Sequence, residues 1–93
     1  MIDSKIPETN PEFTVEKFDN EILLYTPTDI KAVYLNETAY LIWEICGNHK
    51  TVGDIIHLLE EEYPDEKDSI RDDVIAAVKT LVDSGALILV DEQ

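Results

Sequence analysis

The chain has 93 residues, which suits a single domain and is too short for two. Seven Lys and Arg against 21 Asp and Glu give a net charge of −14, and this field disfavours binding to nucleic acid or to an anionic membrane surface. One cysteine cannot form an internal disulfide, and the apolar stretches are too short for a transmembrane helix. The first residues lack the features of a signal peptide, so we expect a cytoplasmic protein.

The first part of the chain predicts an arm and three strands. Residues 1–12 contain two prolines among polar residues without apolar periodicity, which predicts a mobile amino-terminal arm. Residues 13–18 and 21–26 are extended segments joined by an Asp-Asn turn, as in a β-hairpin. A break at residues 27–29 precedes a short third strand at residues 32–35.

Two helices are predicted next. Asn36 is a candidate N-cap for a helix over residues 37–46, which is apolar nearly all round and is therefore expected to be central in the domain. Thr51 and Asp54 form a capping-box pattern that opens a second helix, which reaches Tyr63.

A third helix and a final extended segment complete the predicted fold. Ser69 and Asp72 repeat the capping pattern, and Gly85 suits the left-handed position after a helix. Residues 86–90 are extended in character. We therefore predict an α+β domain over residues 13–93, with a three-stranded antiparallel sheet followed by three helices.

The third helix carries the first candidate surface. Apolar residues at helical spacing form a core stripe of Ile70, Val74, Ala77, Val78 and Leu81. A second, mixed stripe beside it consists of Arg71, Ile75, Lys79 and Val82. This mixed stripe is either the margin of the core, with the two cations reaching solvent, or the wall of a groove.

The third strand is the second candidate surface. If it lies at the edge of the sheet, its free N–H and C=O groups can accept an added strand. The amino-terminal arm is an equally good candidate to cover that edge.

Residues that usually carry catalysis are not clustered in the sequence. Cys46 lies on an apolar helix face, which is typical of a buried and inert thiol. His49 and His57 lack the spacing of metal ligands, and the acidic run after residue 59 lacks the pattern of a calcium loop. We therefore expect no enzyme activity, no metal and no cofactor.

Several blocks of the chain together resemble the PqqD family, over roughly residues 13–90. They are Leu35-Asn36-Glu37-Thr38-Ala39, Ile42-Trp43, Gly47, Thr51-Val52, Ile55, Tyr63, Asp73-Val74, Leu81, Gly85 and Leu87-Ile88. The resemblance implies a winged helix-turn-helix-like domain, known as a RiPP recognition element, that binds ribosomally made precursor peptides. Its expected role is that of a non-catalytic chaperone, which holds the leader segment and presents the peptide to a modifying enzyme.

The resemblance also implies where the leader peptide binds. In this family the leader adds as a strand beside the third strand, in a groove closed by the third helix. By position, the peptide-binding residues are Lys31, Ala32, Val33, Tyr34, Leu35, Arg71, Ile75, Val78, Lys79 and Val82. Arg71 and Lys79 are expected to pair with leader carboxylates.

The implied partners are the precursor peptide and an enzyme such as a radical SAM enzyme or a leader peptidase. Both PQQ and lasso-peptide biosynthesis fit, and we expect a monomer or weak dimer without nucleic-acid or membrane partners.

Two alternatives stay open at this point. One is a winged-helix transcription regulator, although its recognition helix would need to be basic. The other is a phosphopantetheine carrier protein, because Asp68-Ser69-Ile70 resembles the modified site of acyl carriers. The long loop that precedes the carrier serine is missing, and helix capping explains Ser69 without a cofactor.

Overall fold

Three strands form the antiparallel sheet that the sequence predicts. The computed structural model describes residues 2–19, 21–27 and 32–91. Within them, β2 (Thr14–Phe18), β3 (Glu21–Tyr25) and β4 (Ala32–Leu35) pair in that order. Fully buried Leu24 stands opposite both Val15 and Val33, so these apolar side chains share the core face of the sheet.

The amino-terminal segment differs from the unstructured arm expected from the sequence. A 3-10 turn at Ile2–Ser4 leads into β1 (Lys5–Thr9), which pairs antiparallel with β5 (Leu87–Asp91) in a separate two-stranded sheet. Pro7 is fully buried within this sheet. Proline is tolerated in such a strand because both strands are edges, where one missing N–H need not break the ladder.

Capping residues start the first two helices where the sequence predicts them. The Asn36 side chain caps α1 (Glu37–Ile45) by accepting a backbone N–H bond of 2.7 Å. Thr51 and Asp54 exchange hydrogen bonds of 3.0 and 3.1 Å at the start of α2 (Val52–Glu62). Each bond satisfies an amide that a helix terminus otherwise leaves without a partner.

The third helix, α3 (Lys67–Asp83), begins earlier than predicted. The 3-10 turn Pro64–Glu66 runs directly into it, so Ser69 lies in the first turn and its hydroxyl donates to a carbonyl at 3.1 Å. The predicted capping box of Ser69 with Asp72 is therefore wrong. The predicted end is confirmed, because Gly85 has a φ of 87° just after the helix.

One apolar cluster joins the larger sheet to all three helices. The core stripe of α3 is confirmed at Ile70, Val74, Val78 and Leu81, whereas Ala77 is half-buried. The architecture is α+β, a three-stranded sheet followed by three helices, as in a winged helix-turn-helix-like domain. None of the described helices is both long and apolar enough to cross a membrane.

Candidate functional site

One side of β4 is open to an added strand. Among the described residues, β4 pairs only with β3, so its other edge leaves backbone N–H and C=O groups unpaired. Tyr34 is 70% exposed and Ala32 is also exposed, whereas Leu35 is buried. Lys31, the first residue of the predicted strand surface, lies outside the described residues.

A groove of about 340 Å³ separates this strand from α3. On the strand side it is lined by Tyr34, Leu35, Asn36, Thr38 and Ala39. On the helix side it is lined by Asp73, Ala76, Ala77, Thr80 and Leu81. We call the outer residues of the helix side, Asp73, Ala76, Ala77 and Thr80, the open flank of α3. Their short side chains leave space for a ligand beside β4.

The mixed stripe predicted from the sequence lies on the other flank of the helix. We call its residues, Arg71, Ile75, Lys79 and Val82, the closed flank, and none of them lines the groove. Val78, also predicted at the helix surface, is fully buried in the core. The structure therefore brings Tyr34 and Leu35 together with α3, but through different helix residues from those named by the sequence analysis. Peptide contact by the closed flank stays a prediction.

The amino-terminal turn contacts the closed flank at Arg71. The Arg71 guanidinium donates two hydrogen bonds, of 2.8 and 2.7 Å, to the Asp3 carboxylate. These bonds lower the pKa of Asp3 and raise the pKa of Arg71. The same turn also lies against α2, because a Cβ added at Gly53 would come within 3.2 Å of the Asp3 carbonyl oxygen.

A second cavity, of about 430 Å³, adjoins the groove and shares Thr38 and Asp73 with it. Apolar residues from the three helices line its interior, namely Leu41, Leu59, Ile70 and Val74. Carboxylates also line it, namely Glu37, Glu44, Glu66 and Asp73. We call this cavity the acidic pocket. The Lys17 ammonium lies 4.8 Å from the centre of the Tyr40 ring and is the one cation of the lining.

Among the described residues, thiol and imidazole side chains lie outside the groove and the acidic pocket. Burial raises the pKa of the Cys46 thiol to about 12, so the thiol stays protonated at neutral pH. No three His, Cys, Asp or Glu side chains are grouped as metal ligands within the described ranges. The linings of the groove and the acidic pocket contain neither histidine nor cysteine. The arrangement offers the main-chain groups of the β4 edge and the space of the groove beside it.

Comparison with known families agrees with this reading of the fold. The family model for coenzyme PQQ synthesis protein D (PqqD) matches residues 21–87, well over half of the chain. The chain belongs to the PqqD family. The matched segment holds β3, β4 and all three helices, so both walls of the groove lie within the PqqD match. No curated protein and no solved structure matches the chain significantly.

Membership in the PqqD family connects the chain with PQQ-type biosynthesis of ribosomally made and modified peptides. The open flank was missed in the sequence because Asp73, Ala76 and Thr80 on one helix face are typical of a solvent-facing surface, and Ala77 was assigned to the core stripe. A signal that favours a groove is the pair of adjacent small residues, Ala76 and Ala77, at the margin of that stripe.

Proposed function

We propose that this PqqD-family chain captures the leader segment of a ribosomally made precursor peptide as an added strand on β4. It then presents the peptide, as a non-catalytic chaperone, to a modifying enzyme such as a radical SAM enzyme or a leader peptidase. The observation that supports this proposal most is that β4, which pairs only with β3 among the described residues, also lines the groove bounded by the open flank of α3 through Tyr34 and Leu35.

The proposed mode of binding divides affinity and selectivity between two parts of the site. Main-chain hydrogen bonds from the β4 edge accept many sequences, while alternate side chains of the added strand enter the groove. Ala76 and Ala77 leave room for these side chains, and exposed Tyr34 offers an aromatic surface. Because a disordered peptide loses conformational entropy when it binds, we expect a Kd on the order of micromolar, near −8 kcal/mol.

The expected pairing of Arg71 and Lys79 with leader carboxylates is a smaller part of this proposal than binding to the β4 edge and the open flank. The Asp3 carboxylate already accepts two bonds from Arg71, so a leader carboxylate must displace the Asp3 side chain to take its place. The open flank instead presents Asp73 to the groove.

The winged-helix regulator receives no comparable support. DNA affinity depends on clustered cations that displace counterions from the phosphates. On α3, Arg71 is paired with Asp3, and the open flank carries a carboxylate in place of cations. The carrier alternative is also unsupported, because the 3-10 turn Pro64–Glu66 joins α2 to α3 just before Ser69, where a carrier protein has a long loop.

An NMR titration tests the proposal. The ¹⁵N-labelled chain is mixed with a synthetic leader from the precursor peptide encoded beside its gene. We expect saturable amide shifts concentrated at residues 32–35 and 73–80, and none with a scrambled leader of the same composition. An absence of shifts at millimolar peptide, or shifts confined to other surfaces, would contradict leader capture on β4.

A further inference from the structure

The acidic pocket is the natural continuation of the groove beyond the end of β4. The strand ends at Leu35, Asn36 caps α1, and Thr38 lines both cavities. On the opposite wall, Asp73 of α3 also lines both. Since the two cavities share these lining residues, a peptide paired with β4 can reach the pocket by continuing past Thr38 and Asp73.

The charges of the pocket are unbalanced. Four carboxylates face one cation, Lys17, which already lies over the Tyr40 ring. Glu44 accepts a hydrogen bond from the Tyr40 hydroxyl and raises its pKa. The other three carboxylates form no ion pair with any described residue. A cationic group that enters the pocket therefore meets carboxylates that lack a counter-charge within the described structure.

The apolar part of the lining selects among cations. Leu41, Leu59, Ile70 and Val74 come from three different helices and surround space that a hydrocarbon stem can fill. Tyr63, which is 46% exposed, adds an aromatic ring to the same lining. Lysine and arginine combine an apolar stem with a charged head that attracts both carboxylates and aromatic faces. A small hydrated metal ion would leave these apolar surfaces unused.

We infer that the acidic pocket receives a lysine or arginine side chain of the peptide bound on β4, so that the site selects leader segments with a cation at that position. The inference rests on the proposed function and names the chemistry of the leader that binds. The cation's aliphatic stem packs on the helix residues, and its head pairs with Glu37, Glu66 or Asp73. The net charge of −14 favours approach of the same class of peptide.

A pair of charge-neutralised variants of the full chain tests the inference. Glu37→Gln with Glu66→Gln removes two carboxylates that line the acidic pocket but not the groove. Glu61→Gln with Asp83→Asn makes the same change in net charge at exposed positions outside both cavities. We expect the first variant to bind the leader encoded beside the gene about fivefold to tenfold more weakly at low salt. The second is expected to change affinity less than about twofold, because only long-range attraction is lost.

Changes in the leader complete the test. Each lysine or arginine of the leader is replaced in turn by norleucine, which keeps an apolar stem without the charge. One replacement is expected to cost as much affinity as the pocket variant, and the two changes together should cost no more than either alone. Equal effects of the two chain variants, or the absence of a position coupled to the pocket, would overturn the inference while amide shifts at β4 still support leader capture. A leader that shifts no amide at β4 would overturn the proposed function itself.

Discussion

The two flanks of α3 differ in what lies against them. The closed flank meets the amino-terminal turn through the paired hydrogen bonds between Arg71 and Asp3. The open flank faces the free edge of β4 across a groove of about 340 Å³. Both flanks border the same buried stripe, which includes Val74 and Leu81. One flank of the helix thus carries an ion pair with the amino-terminal turn, whereas the other lines a groove with space for a partner.

This difference shows how charge is used in a very acidic chain. The chain has seven Lys and Arg against 21 Asp and Glu, so its own carboxylates compete for each cation. Arg71 pairs with Asp3, whereas the surface that faces the groove carries Asp73 and short neutral side chains. A basic position on a helix therefore does not by itself mark the binding side.

Removal of residues 1–10 is expected to lower the stability of the fold, and this is the largest effect that we predict. The deletion also removes the turn that contacts the closed flank at Arg71. The deletion removes β1 and buried Pro7 and exposes the apolar residues of β5 that β1 covers. One buried side chain of this size contributes about 1.5–3 kcal/mol, so we expect a loss of at least that much in the free energy of unfolding. Urea denaturation followed by circular dichroism measures it.

The same experiment tests the boundary predicted at residue 13. A truncated chain with the stability of the full chain would mean that the amino-terminal segment is a dispensable arm, as the sequence suggests. A matched control is Thr80→Ala on the open flank, an exposed position whose substitution should change stability by less than about 0.5 kcal/mol.

Filling the groove is expected to have the next largest effect, on binding and not on stability. Ala76→Phe places a large ring in the space between α3 and β4, and we expect leader affinity to fall about tenfold or more, equivalent to about 1.4 kcal/mol. Because Ala76 is exposed, the midpoint of thermal unfolding should hardly change.

Lys79→Phe provides the comparison for the groove variant. It introduces the same ring at an exposed position of the closed flank, away from both cavities. Fluorescence anisotropy with a labelled leader should give an affinity close to that of the unchanged chain. Equal losses for the two variants would show that both flanks contact the peptide, as the sequence-based residue assignment proposes.

Local signals predicted most of the fold. The caps at Asn36 and Thr51, the glycine after α3 and the alternating strands each depend on residues a few positions apart, and the structure has them in place. The pairing of β1 with β5 joins the two ends of the chain, and no periodicity within either segment encodes it. The start of α3 was misplaced because Pro64 favours a turn that continues into the helix, which a single capping pattern does not reveal.

The strand side and the helix side of the candidate site differ in how far the sequence could predict them. On the strand side, the sequence identified a short strand before a capped helix but left open whether its edge is free or covered, and the structure pairs β4 only with β3 among the described residues. Helical periodicity placed Arg71, Ile75 and Lys79 beside the core stripe, yet it is symmetric with respect to the two flanks. Which flank faces β4 depends on how the helices pack around the common core, and this packing is not encoded in the periodicity of α3 alone.

The smallest expected effect is the change in stability on loss of the ion pair between Asp3 and Arg71. Asp3→Asn removes the charge that pairs with Arg71 and should lower the unfolding midpoint slightly at neutral pH, less so in high salt. Arg71 holds the folded-state pKa of Asp3 below its ordinary value of 3.8. The stabilisation is therefore complete above pH 3.8 and is lost as the pH falls through the lower, folded-state value. Thermal unfolding from pH 7 to pH 3 should show the two proteins converging only at the acid end.

The same variant tests whether Arg71 pairs with a carboxylate of the leader peptide. If the closed flank takes no part in binding, Asp3→Asn leaves the affinity for the leader unchanged although it frees the guanidinium. If Arg71 pairs with a leader carboxylate, the variant should bind more tightly, because the competing Asp3 charge is gone. We expect the first result, since Arg71 lines neither the groove nor the acidic pocket. Tighter binding would assign both flanks of α3 to the peptide.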